Sequence, residues 1–150
     1  MRDSNKNVME ALEGYMAALH DQAYEIVMQH WDAVKLQERK TPGWENSSNL
    51  QLRCELRGNS LRIDWCGIKW VGSKKMDNRR MVRITIPKPT GVNSYSLPKL
   101  YAYAKEWEKP LVKETEDKLA AIRSEASHVI KALRAIRNAA KVATMAGSDE

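Results

Sequence analysis

The sequence has no apolar run approaching the roughly 18 residues that cross a bilayer, and its first residues are polar, unlike a signal peptide. We therefore expect a cytoplasmic protein without a membrane partner. In that compartment the two cysteines, Cys54 and Cys66, need not form a structural disulfide. The length of 150 residues suits one ordinary domain, so we expect a single domain over residues 1–150.

Sequence motifs for metal binding and catalysis are also missing. There is no CxxC, HxxxH or HExxH, no Ser or Cys with a His at a known motif spacing, and no glycine-rich phosphate loop. Acidic pairs such as Glu106 and Glu108 stand among lysines, which is typical of a solvated helix face. We expect no metal, no cofactor, no catalytic residue and no enzymatic activity.

The positive charge is concentrated in the middle of the chain. The formal net charge is +6, but residues 50–90 hold ten Lys and Arg against three Asp and Glu, a local net charge of +7. Residues 1–49 have a net charge of −3 and residues 91–150 of +2. Such an asymmetry localises the surface that would meet an anionic partner such as nucleic acid.

The first forty residues predict a long amphipathic helix. From about Asn5 to Arg39 apolar residues recur at helical spacing, with acids near the start and cations near the end, as the helix dipole favours. We place this helix at residues 1–40. The segment TPGWENSSN, residues 41–49, is rich in turn formers and ends it.

Residues 50–65 predict a β-hairpin. Apolar and polar residues alternate on both sides of Gly58-Asn59, a two-residue turn signal. With the turn there, Leu52 faces Trp65 and one face is apolar throughout. On the other face the register predicts two ion pairs. These pairs are Arg53 with Asp64 and Glu55 with Arg62.

A third strand follows, to complete an antiparallel meander over residues 50–88. After Trp65 the alternation changes parity, and a bulge at Cys66-Gly67 would return Ile68 and Trp70 to the core side. Cys54 and Cys66 fall on opposite faces, which disfavours a bond between them. The third strand holds Val82, Ile84 and Ile86 on one face and ends at prolines.

Helical spacing returns over residues 97–146 and predicts a long C-terminal helix, which Pro110 should kink or split. The fold class is therefore α+β, with a long helix at each end of the meander. Beyond Pro110 apolar residues form a heptad seam that could pair with the first helix or with a second chain, and we expect a homodimer. The seam residues are Leu119, Ile122, Ala126, Val129, Leu133, Ile136, Ala140 and Ala143.

The five tryptophans suggest base stacking, but core packing explains most of them better. Trp31 and Trp107 lie on amphipathic helices, and Trp65 lies on the apolar face of the hairpin. Trp44 stands in a polar loop, and whether it contacts a ligand is left open.

A run of cations between residues 69 and 88 is the main candidate for DNA binding. It contains one acid, Asp77, so its charges lack partners along the chain, and we favour phosphate contact over a merely solvated surface. The loop of residues 72–80 would reach toward a groove, with Arg83 behind it. The seven candidate residues are Lys69, Lys74, Lys75, Arg79, Arg80, Arg83 and Lys88.

A second basic segment lies near the C-terminus, where residues 128–147 hold no acid. Its cations could lie along DNA, on a partner helix or on an anionic membrane, although alanine-rich seam positions argue against deep insertion. This possible secondary basic face consists of Lys131, Arg134, Arg137 and Lys141.

Three segments together resemble a known family. The order LEGYMAALHDQAYEIVMQHW, then IDWCGIKWVG followed by a basic segment, then YSLPKLYAYAKEWEKPLVKETEDKLAAIR is similar to the MobI family of conjugative transfer proteins. These proteins are encoded near the origin of transfer of integrative conjugative elements and related plasmids. The resemblance spans roughly residues 10–125 and implies a non-catalytic accessory factor that works with a relaxase at the origin of transfer. It brings no assigned functional residues.

Two functions follow as expectations. The first is a dimeric factor that binds double-stranded DNA at the origin of transfer. The alternative is a protein–protein adaptor, whose long helices dock a relaxase or coupling protein without touching DNA. A small enzyme is a third reading that no motif favours. The role of residues 126–150, the DNA sequence preference and the symmetry of the oligomer are left open.

Overall fold

The computed structural model describes residues 3–148 and has the expected α+β architecture. Met1 and Arg2, expected at the start of the first helix, lie outside the described residues, as do Asp149 and Glu150. Two short 3-10 helices, Trp44–Asn46 and Glu106–Glu108, stand in the connections. The main elements are α1 (Asp3–Lys40), β1 (Leu50–Arg57), β2 (Ser60–Val71), β3 (Arg80–Thr85), α2 (Leu97–Tyr101) and α3 (Lys109–Ser148).

The two long helices pack against each other in antiparallel orientation. The Tyr15 hydroxyl donates a 2.7 Å hydrogen bond to Glu125, and His30 Nδ1 lies 2.8 Å from the Thr115 hydroxyl, so later residues of α1 meet earlier residues of α3. The heptad seam of α3 is buried in this contact, as Leu119 and Leu133 illustrate. The seam therefore pairs within the chain. The homodimer that it suggested stays a prediction.

The three strands form an antiparallel sheet in the order β1-β2-β3, and the hairpin register is as predicted. Leu52 faces Trp65 and Cys54 faces Ile63 on the side that packs against the helices. Cys54 and Cys66 lie on opposite faces and are both free thiols. Alternation with a two-residue turn was sufficient to place every pair of this hairpin.

The two predicted cross-strand ion pairs are wrong, although their residues do face each other in the register. Glu55 instead pairs with Arg57 at 2.8 Å, two residues along its own strand. Among the described residues neither Arg53 with Asp64 nor Glu55 with Arg62 comes within 4.0 Å. This face is open to solvent, where an ion pair gains little and a flexible side chain takes the nearest partner.

The predicted bulge at Cys66-Gly67 is also wrong. Strand β2 continues without a register break, since Gly67 faces Leu50 on one side and Ile84 on the other. Ile68 and Trp70 therefore point away from the helices. Glycine is needed at position 67 for a different reason. A Cβ there would lie 2.5 Å from the Tyr103 ring, which packs directly against the strand backbone.

Pro110 splits the C-terminal helical region instead of kinking it. The predicted helix over residues 97–146 is interrupted after α2, and the long helix begins at Lys109. Pro110 is thus the second residue of α3, where its missing N–H costs no intrahelical hydrogen bond. The Glu108 carboxylate accepts a 3.1 Å hydrogen bond from the Lys105 N–H just before this start.

Candidate nucleic-acid interface

One face of the sheet packs on the helices and the other carries a mixed apolar and cationic surface. On this open face Ile68 stands opposite Arg83, and Trp70 stands opposite Met81. Trp70 is 53% exposed, and Met81 and Arg83 are exposed as well. The face is built by simple strand alternation, because every second residue of β2 and β3 must point away from the core.

The basic loop between β2 and β3 has a defined shape. The Ser73 N–H donates a 2.8 Å hydrogen bond to the Asn78 side-chain oxygen, and the Asn78 N–H donates to the Ser73 carbonyl at 3.3 Å. Gly72 has a φ of 84°, and Asp77 adopts a positive φ of 53°. These contacts close the loop at its base, so that Lys74, Lys75 and Met76 are presented to solvent at its end.

All seven cations of the run are exposed. Within residues 3–148 none of them lies within salt-bridge distance of a carboxylate, Asp77 of the same loop included. Two have other contacts. The Arg79 guanidinium carbon lies 4.9 Å from the centre of the Trp70 ring, and the Lys88 ammonium donates a 2.5 Å hydrogen bond to the Val92 carbonyl.

The run does not form a single patch. Arg83 lies on the open face of the sheet, whereas Lys69 and Arg80 alternate to the other face, opposite Val82 and Val71. Lys88 lies past the end of β3, up to about 26 Å from Arg80 at roughly 3.3 Å per residue. The structure brings together the loop cations and the first residues of β3, and it separates Lys88 from them.

Lys88 instead lines a cavity together with a residue of the second basic segment. It lines a cavity of about 260 Å³ with Arg134 of α3 and Arg123, and no acid lines this cavity. No local pattern predicts that Lys88 and Arg134 share a cavity, since they belong to segments far apart in the chain. Lys131, Arg137 and Lys141 are exposed along α3, and none makes a salt bridge with an acid in the described part of the chain.

A buried polar cluster fixes the sheet against α3. Glu116 accepts hydrogen bonds from the Trp65 indole at 2.8 Å, from the Tyr95 N–H at 2.7 Å and from Arg123 at 2.8 Å. Arg123 also donates to the Ile63 carbonyl at 3.0 Å and lies over the Tyr95 ring. Glu116 and Arg123 neutralise each other, although Arg123 Nη2 is buried without a hydrogen-bond partner among residues 3–148. The cluster is a structural joint that orients the open face of the sheet.

The pKa values of two titratable groups in the core are shifted by burial. Loss of water lowers the pKa of His30 to about 4, so that its ring is neutral beside Thr115 and Trp65 at neutral pH. Burial likewise raises the pKa of the Cys54 thiol to about 11. No three side chains of His, Cys, Asp or Glu come together as metal ligands within the described range.

The tryptophans divide into two groups. Trp65 is buried and Trp31 packs against the core, as expected, and Trp107 is half-buried. Trp70, expected in the core, is exposed, and so is Trp44 at 77%. Continuing the hairpin alternation without a bulge would have identified Trp70 from the sequence.

Comparison with models of known protein families gives a match over most of the chain. Residues 19–137 match the family model described as MobI protein, which is well over half of the chain. Searches of curated proteins and of solved structures each returned no match. None of the helices described is long and apolar enough to cross a membrane.

Proposed function

The chain belongs to the MobI family, which has a role in conjugative transfer, and from this premise we propose that it is a DNA-binding accessory factor. It binds double-stranded DNA at the origin of transfer and acts there with a relaxase, without a catalytic step of its own. The relaxase as partner is taken from the family alone. The DNA contact is argued from the basic surface.

One observation carries the proposal. The loop of residues 72–80 presents cations that have no carboxylate partner in the described chain, on a base closed by Ser73 and Asn78. A cation without a partner can neutralise a DNA phosphate without first breaking an ion pair. Each such contact releases counterions, which supplies most of the affinity of non-specific DNA binding.

The position of the loop favours this use. It extends beyond the sheet, between the open face with Arg83 and the opposite face with Lys69 and Arg80. A projecting basic loop can enter a groove while cations on either side contact the flanking phosphates. These contacts fix position and carry no sequence information, so the proposal concerns affinity for duplex DNA.

The test is a salt series of duplex binding with a charge-matched control. Lys74→Ala/Lys75→Ala/Arg80→Ala removes three cations of the proposed interface. Lys6→Ala/Lys113→Ala/Lys118→Ala removes three elsewhere, of which Lys113 and Lys118 make only exposed ion pairs. Both variants have the same net charge, so a difference between them reports the location of the charge.

We expect the loop variant to lower the slope of log affinity against log salt by between about two and three, and the control to change it by less than about one. Equal slopes for the two variants would contradict the proposal. The adaptor alternative predicts relaxase binding that survives nuclease treatment with no salt-dependent DNA binding at all. The argument for an adaptor is weaker in the folded chain, because the apolar seam of α3 packs against α1 and is not exposed for a partner.

A further inference from the structure

The two exposed tryptophans line one cavity although they come from distant segments. Trp44 lies in the short helical turn after α1, and Trp70 lies on the open face of β2. Together with Ile68, Arg79 and Lys105 they surround a space of about 270 Å³ that no acid lines. Neither indole belongs to the hydrophobic core.

The exposed surface of these indoles contributes no hydrophobic stabilisation to the fold. Burying an aromatic side chain of this size stabilises a fold, and Trp65 gains that stabilisation by being almost fully buried. Trp44 and Trp70 leave 77% and 53% of their surface in water. Two exposed indoles beside one cavity are the feature expected of a surface that stacks a planar ligand.

The charge around the cavity identifies the ligand as an anion. The Arg79 guanidinium lies over the Trp70 ring, and neither Arg79 nor Lys105 makes a salt bridge in the described chain. The neighbouring acid Glu108 is buried and accepts hydrogen bonds from the Ser48 hydroxyl and the Lys105 N–H. Planar apolar surface with cations at its edge suits a base that carries a phosphate.

We infer that this cavity binds single-stranded DNA, with an unpaired base stacked on Trp44 and Trp70 and the adjoining phosphates held by Arg79 and Lys105. The inference rests on the proposed function, because it concerns a second form of the same DNA. The volume is below the roughly 300–1,000 Å³ of pockets for drug-sized ligands, so it suits one base. A paired base keeps its faces in the duplex stack and cannot use this site.

A second cavity extends the path for a strand. Trp44 also lines an adjacent space of about 490 Å³ with Lys35 and Arg39, on the side of the end of α1. Glu38 lines it too, and its carboxylate accepts a 3.1 Å hydrogen bond from the Ser48 N–H. Cations therefore flank Trp44 on two sides, as a backbone that continues past one stacked base requires.

The experiment compares three fluorescent ligands: an oligothymidylate of roughly a dozen nucleotides, an abasic strand with the same number of phosphates, and a duplex. The variants are Trp44→Ala, Trp70→Ala and the corresponding changes to Phe, which keep a ring. Tyr24→Ala is the matched control, because Tyr24 is an aromatic residue with 52% exposure on α1. Thermal unfolding of each variant verifies that it folds.

We expect each Ala variant to bind oligothymidylate about tenfold more weakly, with most of the affinity kept in the Phe variants and in Tyr24→Ala. Wild type should bind the abasic strand about as weakly as the Ala variants bind oligothymidylate. Unchanged oligothymidylate binding in both Ala variants, or equal wild-type affinity for the abasic strand and oligothymidylate, would overturn the inference.

The duplex separates this inference from the proposed function. Trp44→Ala should change duplex affinity by less than about twofold, because the duplex is held by the loop cations and Trp44 lies outside that loop. If wild type binds duplex normally and the tryptophan variants bind oligothymidylate as tightly as wild type does, only the stacking site is rejected. A wild type that binds no duplex rejects the proposed function, whatever oligothymidylate shows.

Discussion

The indole N–H of Trp65 donates a 2.8 Å hydrogen bond to the carboxylate of Glu116, and both side chains are almost fully buried. This contact joins the central strand of the sheet to α3. Arg123 completes it from the same helix with a 2.8 Å ion pair. Because the joint fixes one face of the sheet on the helices, the face with Trp70 and the adjoining basic loop must point outward.

The first prediction concerns this joint. Glu116→Gln should lower the free energy of unfolding by about 3 kcal/mol, since it leaves the buried Arg123 charge without its partner. Urea denaturation measures the change. Glu114→Gln is the control, because Glu114 only pairs with Lys118 at the surface, and it should cost less than about 1 kcal/mol. Equal losses in the two variants would contradict the structural role of the joint.

The second prediction concerns the approach of Tyr103 to β2. Gly67→Ala should destabilise the protein by about 1–3 kcal/mol, because the new Cβ would lie 2.5 Å from the ring. In a Tyr103→Ala background the same change should cost much less. Denaturation of the two single variants and the double variant gives the coupling. If the losses in the free energy of unfolding are additive, the Tyr103 ring is not what excludes a side chain at position 67.

A helical glycine provides the contrast to Gly67. An added Cβ on Gly14 meets nothing within 4 Å, and Gly14 lies in the interior of α1. Gly14→Ala should therefore stabilise the protein by about 0.5–1 kcal/mol, because alanine loses less backbone freedom on folding. If the change in the free energy of unfolding has opposite signs at the two glycines, the loss at Gly67 reflects packing and is not a general effect of replacing glycine with alanine.

The third prediction concerns pH. Burial lowers the pKa of His30 to about 4, below the ordinary value of 6.5, so the unfolded chain binds this proton more readily. The stability that the neutral ring contributes is present above pH 6.5 and declines as the pH falls toward 4, by up to about 3 kcal/mol. The measurement is urea denaturation at several pH values in that window.

His30→Gln supplies the comparison, since its amide can still bond with Thr115 but does not titrate. The variant should lose less stability than wild type between pH 6.5 and 4. Acids that titrate in the same window act on both proteins and cancel in the difference. Parallel stability curves would mean that His30 binds its proton as readily in the folded protein as in the unfolded chain, so that burial does not lower its pKa.

The sequence was sufficient where structure is decided locally. The register of the hairpin followed from alternation and from Gly58-Asn59, and the two long helices followed from their spacing. The position of Trp70 was missed because the parity change after Trp65 was attributed to a bulge. The actual reason for Gly67 is a ring that stands 36 positions later in the sequence, and no pattern within the strand reveals it.

The candidate site shows the same division. Charge counting located the basic loop, whose residues adjoin along the chain. It could not show that Lys88 and Arg134 line one cavity, or that Trp44 and Trp70 line another with Lys105. Which distant residues line the same cavity depends on how the helices pack on the sheet. The end of α1, β2 and the segment before α3 come together only in the folded chain.

The central claim, that the loop between β2 and β3 contacts duplex DNA, is tested most directly by photo-crosslinking. A photoreactive amino acid replaces Met76, which is 74% exposed in the loop, and in a control protein it replaces Met28, 40% exposed on α1. Each is irradiated with double-stranded origin DNA. We expect crosslinked DNA from position 76 that disappears at high salt, and little crosslinked DNA from position 28. No crosslink from position 76, or equal yields from both positions, would contradict it.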